Sequence, residues 1–172
     1  TWCNGVDLNG TQGGHFEVDF VLCGRERLPR GSDRAIVAVG EAKTGGALGP
    51  NGGSSSAGFR REDLERASKL AAMLPEVAFI FTTLAPSLIA NEVRLLRKFA
   101  LLQRKHRRGP VLVLTGKELL GSDDLLFSWH RAPTGSEERT IAEAIGHVPT
   151  FRAVCEATNQ LHLGLAPSPG WP

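Results

Sequence analysis

Cysteine is scarce in this chain of 172 residues. Its three cysteines, Cys3, Cys23 and Cys155, are too few and too scattered for the disulfide framework of a small secreted domain. A reduced, cytoplasmic setting is therefore expected. Cys3 and Cys23 are read as buried thiols acting as small hydrophobes, although a hairpin of the first two strands would bring them face to face. No secretory or transit segment is visible, and no long uncharged apolar run is present, which argues against a membrane span. Net charge is also small: Lys+Arg 20 against Asp+Glu 18 leaves +2, too little to mark a nucleic-acid binder by its sum. The hydrophobic fraction of 41% is too high for a disordered tail, and the length suits one domain with a core of its own.

Several motifs are missing. The glycines of 44–58 (TGGALGPNGGSSSAG) contain neither the G-x-x-x-x-G-K-[ST] phosphate loop nor a G-x-G-x-x-G spacing. No G-x-S-x-G elbow supports a serine hydrolase. His15, His106, His130, His147 and His162 have no metal-ligand spacing with one another or with the cysteines, which argues against zinc.

What is present reads as alternating strands and helices. His15 to Cys23 alternates in period two, with Phe16, Val18, Phe20 and Leu22 on one side, and pairs with the segment before it across Asn9-Gly10 and Gly13-Gly14. Ala35 to Lys43 is the most strand-like run; Val37, Val39, Glu41 and Lys43 share one face, and Ile36, Ala38, Gly40 and Ala42 the other. Both faces are largely apolar, as in a central strand covered on both sides. The Gly- and Ser-rich stretch 44–58 follows as a long loop. Arg60 to Leu74 has Leu64, Ala67, Leu70, Ala71 and Leu74 at helical spacing, and Pro75 stops it. Val77 to Leu84 reads as a buried strand, Pro86 to Gln103 as a helix and Pro110 to Thr115 as a short strand. Beyond Gly116, Glu137 to Ile145 and Phe151 to Leu161 look helical. The expected architecture is mixed α/β: a hairpin meander continued through helical crossovers into one sheet flanked by helices.

Three polar residues occupy positions a buried strand tolerates badly. Asp19 lies in mid-strand, and Glu41 and Lys43 close the next strand at i and i+2, roughly 6.5–7 Å apart along one face. If the strands are neighbours, Asp19 and Glu41 converge. Their repulsion raises one pKa unless a cation lies between them, and Mg²⁺ suits an oxygen site that keeps several waters. Lys43 then stands where it can orient or deprotonate a water, or neutralise charge on a phosphoryl oxygen. Two carboxylates and a lysine so placed suit metal-assisted hydrolysis of a phosphodiester.

Glu17-Val18-Asp19 on one strand and Gly40-Glu41-Ala42-Lys43 ending the next resemble the PD-(D/E)XK nuclease superfamily, the restriction-endonuclease-like fold. The resemblance implies Asp19 and Glu41 as ligands of Mg²⁺ (or Mn²⁺ in its place) and Lys43 as the catalytic lysine. It also implies an αβββαβ core over roughly Thr1 to Thr115. That family's first helix has no counterpart before Thr1, and its proline is absent before Asp19. A chain that opens at Thr1 without an initiator Met is expected to be part of a longer protein.

Glu17 shares a strand face with Asp19 and is an auxiliary candidate, with Asp7 an outside one. Asp63 and Lys69 are assigned to a solvated helix face. Arg104, Lys105, Arg107 and Arg108, joined by Arg60 and Arg61, form the basic segment expected to track phosphates. The expectation is thus a single domain over 1–164, with its core at about 1–115, a helical extension at 116–164, and a loose Pro-rich tail at 165–172. Its function would be that of a DNA endonuclease within a larger restriction, repair or defence protein, without a membrane partner and with homodimerisation left open. A catalytically silent nucleic-acid-binding domain of the same fold, and an enzyme acting on RNA, are the alternatives.

Overall fold

The computed structural model describes residues 2–9, 15–27, 33–44, 58–120 and 150–167. Residues 45–57, the helix expected over Glu137 to Ile145, and residues 168–172 lie outside the described residues. Three antiparallel strands open the chain: β1 (Trp2–Asn9), β2 (His15–Arg27) and β3 (Asp33–Lys43). Helix α1 (Arg61–Met73) leads to β4 (Ala78–Thr83), and α2 (Ala90–Lys105) leads to β5 (Val111–Leu114). A short α3 (Gly116–Leu120) follows, and α4 (Phe151–Leu163) closes the described chain. The mixed α/β expectation holds at this level: one sheet in the order β1-β2-β3-β4-β5, antiparallel up to β3 and parallel from β3 onward.

That order decides where the helices go. Two successive crossovers stepping the same way along a sheet, each right-handed, land on the same face. Accordingly α1 and α2 both bury their apolar stripes on one face, with Leu64, Leu70, Leu96 and Phe99 packed on Val39, Phe79, Phe81 and Val113. Phe59, Phe81, Phe99 and Phe79 make a chain of edge-to-face contacts with centroids 5.2–5.5 Å apart. Each such pair adds about 0.5–1.5 kcal/mol beyond its burial.

The other face needs a separate cover, and α4 supplies part of it. Cys155 packs with Ala38, Ala78, Ile80 and Leu112, so of the small residues of β3 Ala38 faces a helix, while Gly40 lies under the Phe20 ring and Ala42 is exposed. Thr158 Oγ1 accepts from Val113 N–H and Asn159 Nδ2 donates to the Val111 carbonyl. Side chains of α4 thereby satisfy the open edge of β5, where unpaired backbone groups would otherwise stand exposed. Leu165, expected in a loose tail, is 4% exposed and belongs to the main core.

Two details of the hairpin differ from the alternation read in the sequence. Phe16 and Val18 pack on the α1/α2 side, Phe20 on the α4 side, and Val21 on the α1/α2 side again. The phase of β2 therefore slips around Asp19. Gly5, which falls opposite Asp19 in the β1–β2 register, has φ +56°, a left-handed value glycine adopts without strain. Phe20 lies against Gly40, where any side chain would overlap its ring. Cys3 and Cys23 are exposed rather than buried, because Cys3 pairs with Val21 and Cys23 with the exposed Val37 toward the uncovered end of the sheet. Cys155 is the buried thiol, and burial pushes its pKa far up, which removes it as a thiolate nucleophile.

Candidate active site

β3 ends in Gly40-Glu41-Ala42-Lys43, flanked by β2 on one side and β4 on the other. The β2–β3 ladder runs from Arg27↔Asp33 only as far as Phe20↔Gly40. One residue further, the Asp19 side chain replaces the ladder: its Oδ2 accepts from the Ala42 N–H at 2.6 Å. A carboxylate from β2 is thus fixed beside the residue between Glu41 and Lys43, and the phase slip at Asp19 is what delivers it there.

Glu41 and Lys43 project to the α1 side, both partly buried, with Lys43 Nζ 2.6 Å from Glu41 Oε1. Helix α1 adds two groups to the pair. Asp63 Oδ1 lies 3.5 Å from Lys43 Nζ and 2.7 Å from an Arg66 guanidinium nitrogen, and that nitrogen is 3.5 Å from Glu41 Oε1. Asp63 is only 8% exposed, and its Oδ2 accepts the Arg60 N–H at 2.9 Å. An acid at the third helical position capping the first N–H also complements the helix dipole. The assignment of Asp63 to a solvated face is therefore corrected, whereas Lys69 is exposed as expected.

The electrostatics follow from this crowding. Burial raises the pKa of Glu41; Lys43 pulls it back in part, while the charges of Asp19 and Asp63 push it higher. Burial alone would lower Lys43, but its hydrogen bond and charge interaction with Glu41, together with Asp63, outweigh burial and hold it above its ordinary value. Glu17, exposed on β2, lines the same cleft as Glu41, Asp63 and Arg66. Its wall carries three carboxylates, Glu17, Glu41 and Asp63, and the Arg66 guanidinium among largely apolar side chains, and Asp19 and Lys43 are not part of that wall. The cleft measures about 30 Å³, more than the roughly 10–15 Å³ needed to seat one water. It admits a water or an ion but not a sugar or base, so a polymer would have to lie across its mouth. Asp7 pairs with Glu17 in the register and sits one strand further out.

Among the described residues, no group of three or more His, Cys, Asp or Glu side chains is arranged to hold a metal ion. Asp19 and Glu41 are a pair, with one oxygen of each already engaged by the protein. No described helix is long and apolar enough to cross a membrane.

The basic residues divide into two groups. Arg60 and Arg61 stand at the start of α1 beside Asp63, with Arg61 Nε 2.7 Å from Glu65. Arg104, Lys105, Arg107 and Arg108 lie at the far end of α2, where Arg104, Arg107 and Arg108 border a recess with Arg34 and Ala78. From Arg34 to Glu41 along β3 is roughly 20 Å at strand rise, so one ligand touching both groups would have to span the sheet.

Sequence reading missed Arg66, and it also missed the structural role of Glu92. A signal existed for Arg66: Asp63 and Arg66 precede Ala67 and Leu70 by one helical turn, which puts both on the sheet-facing stripe. Glu92 is 5% exposed and accepts from Phe59 N–H at 2.8 Å and Ile89 N–H at 2.9 Å, tying the start of α2 to the approach to α1. Nothing in its local sequence points across to Phe59.

No family model matches the chain, and no curated protein or solved structure is significantly similar to it.

Proposed function

We propose that the chain is a metal-dependent endonuclease domain of the PD-(D/E)XK kind that hydrolyses phosphodiester bonds in DNA. It would act as the nuclease part of a larger restriction, repair or defence protein. The observation that carries this reading is the convergence, at the end of β3, of Asp19 from β2 with Glu41 and Lys43. The element order β1-β2-β3-α1-β4 supports the reading, since a βββαβ run is what the resemblance implies.

The donor set fits a hard divalent ion. Asp19 and Glu41 come from adjoining strands, excess negative charge surrounds them, and Mg²⁺ is at home with few protein oxygens and several waters. Asp19 and Glu41 would hold it, Glu17 would support it through water, and Mn²⁺ would substitute. When bound, the ion supplies Lewis acidity and stabilises negative charge on the phosphoryl oxygens.

The remaining work falls to the protein's own groups. Lys43 is held protonated by Glu41 and Asp63, so it suits neutralising charge that builds on the phosphate better than withdrawing a proton from water. Arg66 is half exposed and anchored on Asp63, which leaves guanidinium N–H groups to meet a phosphate at the cleft mouth. Arg60 and Arg61 extend the positive surface on that side.

Incubation with supercoiled plasmid and Mg²⁺ tests the proposal, with a structured RNA digested in parallel. Metal-dependent nicking of the plasmid, lost by about 10²-fold or more in Lys43→Ala and Asp19→Ala, is expected. Cleavage without metal, or undiminished cleavage by both variants, would refute it.

A further inference from the structure

At the end of the sheet away from Glu41 lies a second recess, with a volume of about 900 Å³. Small-molecule sites range over about 300–1,000 Å³. Five arginines border it against three glutamates (Glu26, Glu76 and Glu156), the arginines coming from three different elements: Arg34 on β3, Arg104, Arg107 and Arg108 in and after the last turn of α2, and Arg152 on α4. Arg104 is engaged by Glu156 and the Ala166 carbonyl. Among the described residues, the side chains of the other four make no hydrogen bond or ion pair. The helix dipole accounts for cations at the end of α2 but not for Arg34 or Arg152.

Two buried amides border the same space. Gln103 is 2% exposed, yet neither its Nε2 nor its Oε1 has a partner. Asn159, 3% exposed, gives its Nδ2 to Val111 and leaves Oδ1 unpartnered. Buried polar atoms are nearly always satisfied, so orphaned amide atoms on two residues that border one recess mark a place for a ligand that offers the reverse pattern. A nucleobase edge is such a ligand, and Gln pairing with adenine N6 and N7 is the familiar case.

A third observation concerns the backbone. Helix α2 ends in a Schellman turn, with Arg108 N–H on the Gln103 carbonyl and Arg107 N–H on the Arg104 carbonyl. The left-handed position belongs to Arg107, at φ +51°, whereas α4 ends with Gly164 at φ +61°. Glycine is the unstrained choice there. The arginine in its place puts a guanidinium at the border of the recess.

We propose that this recess binds a nucleoside phosphate, the arginines receiving the phosphate and Gln103 with Asn159 reading the base edge. The ligand is either a free nucleotide or the terminal nucleotide of a strand. The site shares no residue with Asp19, Glu41 or Lys43 and stands or falls independently of them.

Isothermal titration of the full chain with AMP, adenosine, inorganic phosphate and a short 5′-phosphorylated oligoadenylate tests the site. AMP is expected to bind at least tenfold more tightly than adenosine or phosphate alone. Arg107→Gly should weaken AMP at least tenfold while raising the melting temperature, since glycine relieves the left-handed residue. Gln103→Met should weaken AMP about tenfold, leave phosphate binding unchanged and not lower the melting temperature. A tighter oligoadenylate assigns the site to a strand end, and a tighter AMP to a free nucleotide; both sustain it. No AMP binding at millimolar concentration, equal affinity for AMP and phosphate, or unchanged AMP affinity in both variants would overturn it. A melting temperature lowered by Gln103→Met would show Gln103 to be structural and would overturn the base-reading role.

Discussion

Lys43 Nζ, at the end of β3, lies 3.5 Å from Oδ1 of Asp63 in the first turn of α1. This contact joins the strand that carries the candidate chemistry to the helix packed over it. Asp63 therefore holds Lys43 in place, caps the helix through Arg60 N–H, and anchors Arg66.

Asp63→Asn removes one of the charges that raise Glu41 while leaving a side chain able to cap the helix. The Glu41 pKa is expected to fall in the variant, followed by carbon-detected NMR titration of the Glu41 carboxyl. Asp63→Ala should in addition cost about 0.5–2 kcal/mol of stability through the lost cap, read from urea unfolding. A Glu41 titration that does not move in either variant would place Asp63 outside its electrostatic reach.

If Glu41 holds the proposed metal ion, proton and ion compete for its carboxylate. Its pKa is raised above 4.5, so the protonated form persists into a window just above that value. Ligating carboxylates must be ionised. Mn²⁺ affinity should therefore climb as pH rises through the window and level off once Glu41 is fully charged. Electron paramagnetic resonance titrations of free Mn²⁺ at several pH values check this. An affinity flat across the window would separate Glu41 from the ion.

The sequence made the frame of the fold legible because the frame is set by local pattern. Ala38 and Val39 of the run ending in Glu41-Ala42-Lys43, Leu64, Leu70 and Ala71 of the helical stripe, and Ala78 to Phe81 of VAFIFTTL are buried as their periodicity selects, whereas Val37, Leu74 and Leu84 at the ends of these segments are exposed. It also made Asp19, Glu41 and Lys43 legible, since charges in strand-forming runs are conspicuous. What stayed hidden depends on three-dimensional placement. The phase slip at Asp19 needs Gly5 on the partner strand, Glu92 acts across to Phe59, and Cys3 and Cys23 are exposed because the sheet outruns its cover. Arg60 and Arg104 read as one basic field because the sequence does not say which end of the sheet each helix terminus reaches.

Glu92→Ala should be costly although Glu92 touches no candidate catalytic group. It strips the acceptor from two backbone N–H groups, Phe59 and Ile89. An orphaned buried donor costs about 1–3 kcal/mol, so a loss of about 2–4 kcal/mol is expected from urea unfolding. A loss within a few tenths of a kcal/mol would show that water replaces the carboxylate.

Acid sensitivity should trace in part to Glu118. Burial acts to raise its pKa, but the His162 imidazole nitrogen 3.1 Å from Oε1 and hydrogen bonds from the hydroxyl and N–H of Thr115 overcome burial and lower it from 4.5 to about 2. A depressed carboxylate stabilises the fold above its unfolded value, and that contribution is lost as pH falls through the folded one. Stability should thus decline between about pH 4.5 and 2, and Glu118→Gln should flatten that part of the curve. An unchanged acid limb in the variant would assign the decline to other carboxylates.

Metal binding is the most direct test, because the proposed site rests on Asp19 and Glu41, with Glu17 behind water, and needs neither a partner domain nor a preferred DNA sequence. The measurement is a calorimetric Mn²⁺ titration of the wild-type chain beside Asp19→Asn and Glu41→Gln at neutral pH. One ion per chain, weakened at least tenfold by either substitution, is the expected result; no saturable binding, or the same affinity in all three chains, would contradict it.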